Sequence, residues 1–176
     1  MKWISAGLGA LLALAGCDPQ RIAELEEGVS TETDVRARFG QPENIWDGPG
    51  GARIFEYNRQ PAGQKNYMIT IGPDGKMSAL RQVLTPENFA KVQPGMGIET
   101  VRKMLGKPAK VHPYPLKNES DWEWRWVQPP NSAMVFTVTV SPDQYVLRSG
   151  SAPDRSVEAL HGAALVPRGQ RHLHGD

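Results

Sequence analysis

The segment VRKMLGKP at residues 101–108 has a close counterpart in VRARFGQP at residues 35–42. In each segment a valine is followed four positions later by a leucine or a phenylalanine, which places both apolar side chains on one face of a helix. The next residue is a glycine, which suits the left-handed backbone just past a helix end, and the proline two positions later prevents continuation. The two segments therefore predict the same helix and the same helix exit twice in one chain.

The blocks that follow also recur in the same order, which is the mark of an internal repeat. Phe55-Glu56-Tyr57 is matched by Trp122-Glu123-Trp124, and both blocks have the alternation of a strand. Residues 134–140 alternate in the same way and are followed by a Ser-Pro-Asp turn. A further short helix is expected to start at Pro86, with Thr85 as its N-cap.

We therefore predict an α+β fold made of two tandem ααβββ units. Each unit is expected to have two short helices packed on one face of a three-stranded antiparallel sheet, whose other face stays free. The first unit is expected over residues 17–84 and the second over residues 85–150. Residues 151–176 lie outside the repeat, and we expect them to form a flexible tail.

The first residues of the chain predict export. Lys2 precedes an apolar stretch that ends in Leu14-Ala15-Gly16-Cys17 and is shorter than the roughly 20 residues needed to span a bilayer. This ending resembles the lipobox of bacterial lipoproteins, which implies a signal peptide at residues 1–16 and fatty acids such as palmitate on Cys17. The alternative is an ordinary secretory signal with Cys17 as a bystander. The lipobox is favoured because Cys17 is the only cysteine and lies where a lipobox requires it.

The charge balance of the chain argues against a nucleic-acid partner. Removal of residues 1–16 takes away Lys2 and no acidic residue, which leaves 19 basic and 19 acidic side chains. A neutral chain lacks the basic footprint by which proteins bind nucleic acids. The membrane contact is therefore assigned to the lipid on Cys17, since two or three acyl chains hold a protein firmly.

The repeat resembles the BamE (SmpA/OmlA) family, small lipoproteins of the outer-membrane β-barrel assembly machinery. The residues that carry the resemblance are clearest at 89–96, 101–108 and 122–124. The resemblance implies a partner in that machinery and an outer-membrane location. The tandem arrangement is also similar to the β-lactamase inhibitory protein, whose two repeats form a concave sheet that grips a partner. In enteric bacteria an aspartate after the lipid-bearing cysteine tends to retain a lipoprotein at the inner membrane, so Asp18 favours the inner membrane.

Five aromatic residues are the candidate partner-binding set. The three tryptophans at i, i+2 and i+4 share one face of a predicted strand, where the alternative is that they form the core beneath the helices. Trp46 lies in a turn-rich segment, where the alternative is again a place in the core. Tyr114 lies in a proline-rich segment. Tryptophan and tyrosine are enriched at binding hot spots. The set consists of Trp46, Tyr114, Trp122, Trp124 and Trp126.

The sequence indicates a protein without catalytic residues, metal ligands or cofactors. Its only thiol is assigned to the lipid, so no cysteine nucleophile remains. His172-Leu173-His174 could hold a metal only with ligands from elsewhere in the chain, and no such set is visible. We predict a non-enzymatic, periplasm-facing lipoprotein that binds another envelope protein as an accessory or scaffold. The alternative is an inhibitor or ligand-binding module similar to the β-lactamase inhibitory protein.

Overall fold

A computed structural model describes residues 18–157 of the chain. The predicted signal peptide, the predicted lipidation site Cys17 and residues 158–176 lie outside the described residues. Within the described part, every helix is too short or too polar to cross a membrane.

The first half of the fold is a four-stranded antiparallel sheet with two short helices before it. The strands follow one another in space as they do in sequence, in the order β1-β2-β3-β4. Its elements are α1 (Asp18–Ala23), α2 (Glu32–Phe39), β1 (Asn44–Asp47), β2 (Arg53–Asn58), β3 (Asn66–Ile71) and β4 (Met77–Gln82).

The second half has the same order of elements and forms a second sheet. This sheet is also antiparallel, with the order β5-β6-β7-β8, and it is separate from the first. Its elements are α3 (Pro86–Phe89), α4 (Ile98–Leu105), β5 (Lys110–Tyr114), β6 (Glu119–Gln128), β7 (Ser132–Val140) and β8 (Val146–Pro153). Strand β8 therefore runs three residues past the predicted boundary at residue 150.

The helix signals of the sequence are confirmed in the structure. The Thr85 hydroxyl accepts a hydrogen bond from the backbone N–H of Asn88, which caps α3. In α4 the predicted apolar face is buried, with Ile98, Val101 and Leu105 each at most 1% exposed. Gly106 ends this helix with a φ of 79°, a value that favours glycine.

Each sheet has its own apolar core on the face that its helices cover. Phe55, Tyr57 and Ile69 pack against the buried side chains of α2 in the first core. Alternate residues of β6 and β7 pack against α3 and α4 in the second core. The inward set of the second core includes Trp124, Trp126, Phe136, Val138 and Val140. The strict alternation of these strands is what one buried face requires.

The predicted fold class is wrong, because each sheet has four strands instead of three, and residues 18–157 are mostly β with a few short helices. The additional strands are β1 and β5, which the sequence analysis placed in loops. The glycines and proline after β1 form a tight hairpin turn onto β2 instead of a long loop. Pro113 is tolerated inside β5 because β5 is an edge strand, where a missing N–H removes no ladder bond.

The prediction of a free outer face is wrong for the first sheet. Residues of β2 and β3 that point away from the first core, among them Glu56 and Asn66, are fully buried. They are covered by the C-terminal end of α4 and the residues that follow it. The two halves of the chain therefore share a buried contact.

Candidate functional site

The contact between the two halves is a cluster of buried polar side chains, which we call the polar junction. It consists of Glu56, Asn58, Gln60 and Asn66 from the first half and the residues they bind in either half. Asn58 and Asn66 are directly opposite each other in the β2–β3 ladder, so their side chains share one face of the first sheet. This pairing places two amide side chains side by side beneath the end of α4.

Glu56 is the charged centre of the polar junction. Its side chain is fully buried and forms an ion pair with the guanidinium of Arg102, which lies on α4. The Nε1 of Trp46 donates to one carboxylate oxygen at 2.8 Å, and the Nδ2 of Asn58 donates to the other at 2.6 Å. The buried charge is therefore paired and also hydrogen-bonded, as a charge removed from water requires.

The end of α4 supplies the second set of junction contacts. The last carbonyl groups of a helix have no partner within the helix. The Nδ2 of Asn66 donates to the carbonyl oxygens of Leu105 and Lys107 at 2.9 and 3.0 Å. The Nε1 of Trp124 donates to the carbonyl oxygen of Gly106 at 2.9 Å. Side chains from both sheets thus donate hydrogen bonds to the carbonyl groups at the end of one helix.

A substitution of Gly106 tests how closely the two halves approach each other. A Cβ at this position would lie 2.6 Å from Asn58 Oδ1 and 2.8 Å from Asn66 Nδ2, in addition to the strain of a positive φ. The equivalent Gly40 also has a φ of 80°, but a Cβ there would meet nothing within 4 Å. We expect Gly40→Ala to cost about 1–3 kcal/mol of unfolding free energy from backbone strain and Gly106→Ala to cost more. Equal losses in urea denaturation would contradict the tight junction.

One end of the molecule carries the start of the described chain, and we call it the anchor end. The carboxylate of Asp18 accepts hydrogen bonds from Nε and Nη2 of Arg59, each at 3.0 Å. Arg59 opens the β2–β3 loop, which is residues 59–65. A groove of about 550 Å³ lies between this loop and the first residues of α1, and Val127 of β6 also lines it.

The β2–β3 loop also binds the second sheet. The Nε2 of Gln60 donates to the carbonyl oxygen of Arg125 at 2.7 Å, and the backbone N–H of Arg125 donates back to Gln60 Oε1 at 3.2 Å. The Nε of Arg125 donates to Asp154 at 2.8 Å. A larger groove of about 850 Å³ lies here, lined by Gln64, Arg125, Val127, Met134 and Asp154 among others.

Asp154 makes the stability of the anchor end depend on pH. Burial alone would raise the pKa of this carboxyl, but hydrogen bonds from Ser156 and the guanidinium of Arg125 hold the pKa below its ordinary 3.8. A lowered folded-state pKa adds stability above the unfolded-state pKa, and this stability is lost as the pH falls through the folded-state value. We therefore expect Asp154→Asn to lower the unfolding free energy at neutral pH by an amount that shrinks below pH 3.8. Denaturation across that pH range measures the effect, and a constant difference would contradict it.

The opposite end of the second sheet exposes apolar side chains, and we call it the distal tip. Leu116 is fully exposed, and Tyr145 and Tyr114 are 53% and 37% exposed. A groove of about 210 Å³ runs between the β5–β6 and β7–β8 connections, with Tyr114 and Pro142 among its lining residues. Strand β6 connects this end to the anchor end, and its ten residues span about 30 Å.

The structure distributes the five predicted binding residues over three places. Trp124 and Trp126 are 0% and 4% exposed in the second core, so the core alternative is the correct one for both. Trp122 is half-buried and packs against the same core. Trp46 belongs to the polar junction, where Lys103 Nζ lies 5.3 Å from its ring centroid. Tyr114 alone among the five lies at the distal tip.

Sequence reasoning missed the polar junction and, at the distal tip, the exposed Leu116 and Tyr145. Glu56 and Asn58 alternate with buried aromatic residues, which is the pattern of a solvent-facing strand surface. Their burial depends on the second half of the chain, which local periodicity cannot reveal. Among residues 18–157, no group of three or more His, Cys, Asp or Glu side chains is placed to hold a metal ion.

Comparison with known proteins adds one distant structural neighbour. No protein-family model matches the chain, and no curated protein matches it. The crystal structure of a DUF4309 family protein (YjgB) from Bacillus subtilis aligns with 77% of this chain and 86% of its own, at 24% identity. The TM-score of that alignment is 0.31, so it establishes no shared fold or function. The resemblance to the BamE family stays a prediction.

Proposed function

We propose that this protein is a lipid-anchored, non-enzymatic component of the bacterial cell envelope that binds another envelope protein. The observation that carries the proposal is the Leu14-Ala15-Gly16-Cys17 sequence, which directly precedes Asp18, a residue of α1. Lipid on Cys17 would hold the folded part directly at a membrane. The resemblance to the BamE family suggests the β-barrel assembly machinery as the partner.

The distal tip supports a protein-binding role. Large exposed apolar side chains are candidates for a contact with a partner, and tyrosine is a frequent anchor residue in interfaces. Tyr114, Leu116 and Tyr145 are exposed on the connections that flank one groove. They lie about 30 Å from the anchor end along β6, which is far enough to reach a partner above the headgroups.

Site-specific photo-crosslinking in cells tests the partner-binding surface. A photoreactive residue at Leu116 is expected to capture one defined envelope protein, while the same residue at exposed Glu87, on α3 away from the distal tip, is not. The captured protein should also co-purify with the wild-type chain. Leu116→Asp should reduce that co-purification at least about tenfold, because a charge in an apolar contact leaves an unpaired buried group.

Two results would contradict this part of the proposal. One is recovery of no envelope protein from Leu116 above the Glu87 background. The other is undiminished co-purification with Leu116→Asp. Tight binding of a soluble protein by the chain without its lipid would instead support the inhibitor or ligand-binding alternative.

The membrane that holds the protein is a separate question. The BamE resemblance favours the outer membrane, and Asp18 favours the inner membrane. Because the Asp18 carboxylate is bound by Arg59, its charge is already paired on the protein surface. Membrane fractionation of the wild-type protein and of the Asp18→Ser variant shows which membrane holds each of them. A wild-type protein found only in the inner membrane would exclude the assembly-machinery partner.

A further inference from the structure

We propose that the anchor end lies flat against the phospholipid headgroups, so that the β2–β3 loop and the β6–β7 turn form a membrane-contact surface. The inference rests on the proposed lipidation of Cys17 and specifies how the protein is oriented by it. The occupant of this surface is the bilayer that holds the lipid.

The short tether between the lipid and the fold favours this orientation. Neighbouring Cα atoms are about 3.8 Å apart, so the lipid-bearing residue begins within about 4 Å of Asp18. Asp18 is not a free linker residue, because both its carboxylate oxygens are bound by the guanidinium of Arg59. It also lies in α1, so a lipid on the preceding residue would be joined directly to fixed structure. The lipid therefore enters the membrane beside residues 59–65.

The loops that surround this entry point also have a charge that suits a bilayer surface. Residues 59–65 read RQPAGQK and residues 127–133 read VQPPNSA, and neither segment contains a carboxylate. Lys65 is exposed and forms no ion pair with any residue of the described range 18–157. A cationic side chain among uncharged residues suits a surface of phosphate-bearing headgroups.

Two of the turns at the other end of the two sheets differ in charge from the loops at the anchor end. The β3–β4 turn at residues 72–76 and the β7–β8 turn at residues 141–145 each carry an exposed aspartate, Asp74 and Asp143. An aspartate placed against anionic headgroups would be repelled, and burial there would remove its water. These two turns are therefore less suited to contact with the bilayer than residues 59–65 and 127–133.

The experiment uses the lipidated full chain in sealed vesicles of phosphatidylethanolamine and phosphatidylglycerol. Because Cys17 is the only cysteine and its thiol would carry the lipid, an introduced cysteine is the one free thiol. Ala62→Cys places an NBD label at the anchor end, and Asp143→Cys places the same label at a distant exposed turn. Aqueous dithionite, which reduces NBD and does not cross a bilayer, reports the accessibility of each label.

We expect the Ala62 label to be reduced several-fold more slowly than the Asp143 label on vesicles, and the two rates to converge in detergent. Equal rates on vesicles, or a slower rate for the Asp143 label, would overturn the inference. The mass of the amino-terminal peptide is measured on the same sample. An unmodified Cys17 would refute the proposed function itself, whereas a lipidated chain with equal label rates refutes only the orientation.

Discussion

Arg102→Met is expected to lower the free energy of unfolding by about 3–5 kcal/mol, because it leaves the carboxylate of Glu56 buried without its positive partner. Glu56 is 0% exposed, and water cannot replace the lost guanidinium without opening the polar junction. The hydrogen bonds from Trp46 and Asn58 remain, but they do not neutralise the charge. Urea denaturation of the chain carrying Cys17→Ser, which removes the lipid site, measures the loss.

The matched controls separate a buried charge from a general loss of arginine. The side chain of Arg148 is 60% exposed and forms an ion pair with Glu119. Arg148→Met breaks this ion pair and should change the free energy of unfolding far less. Glu56→Gln combined with Arg102→Met removes both charges and should recover part of the loss, because no unpaired ion remains. A small effect of Arg102→Met, or a double variant no more stable than Arg102→Met alone, would contradict the assignment.

Trp124→Ala is expected to cost about 3–5 kcal/mol, since it removes the largest fully buried side chain of the second core. The same substitution removes the hydrogen bond to the carbonyl oxygen of Gly106, which lies in the polar junction. Trp124→Phe keeps most of the packing and loses that bond, so it should cost less, about 1–3 kcal/mol. Both values come from denaturation monitored by circular dichroism.

Trp122→Ala is the control for the loss of any tryptophan from β6. Its side chain is half-buried at the edge of the same core, so the loss of stability should be clearly smaller. A loss equal to that of Trp124→Ala would mean that burial does not distinguish the two positions. If Trp124→Ala kept wild-type stability, its place at the centre of the second core would be wrong.

Local sequence signals predicted the parts of the fold that depend on local chemistry. Thr85 and Gly106 mark helix ends by their capping and backbone preferences, and the alternation of residues 134–140 defines a strand with one buried face. These signals operate over a few residues, so one chain read in order is enough to find them. The duplicated helix and its exit were found in the same way.

The strands that the sequence analysis missed have mixed local signals. Trp46 and Ile45 favour a strand, but four residues of glycine and proline follow within the next few positions and favour a turn. Both signals are correct, because the turn joins β1 to β2 as a hairpin. In β5, Pro113 is evidence against a central strand and says nothing against an edge strand.

The polar junction could not be predicted because it depends on contacts between residues distant in sequence. Asn66 binds carbonyl groups 39 and 41 positions later, and Gln60 binds Arg125 65 positions later. Read locally, Glu56 and Asn58 are ordinary solvent-facing residues of a strand. The same limitation applies to Trp46. Its hydrogen bond to Glu56 places it in the polar junction and not on a binding surface.

The differences between the two ends of the molecule suggest how the protein would be oriented on a membrane. The anchor end holds Asp18 in place and has two loops without carboxylates, whereas the distal tip exposes Tyr114 and Leu116. A lipid on Cys17 would therefore present the distal tip away from the bilayer. The stability of the polar junction matters for this arrangement, because it keeps the two sheets aligned between the ends.

The mass of the mature amino terminus, measured on protein purified from cell membranes, tests lipid anchoring most directly. We predict a chain that begins at Cys17 and carries a diacylglycerol on the thiol, with or without a further acyl group on the amine. A mature chain that begins at another residue, or a Cys17 with a free thiol, would contradict the account.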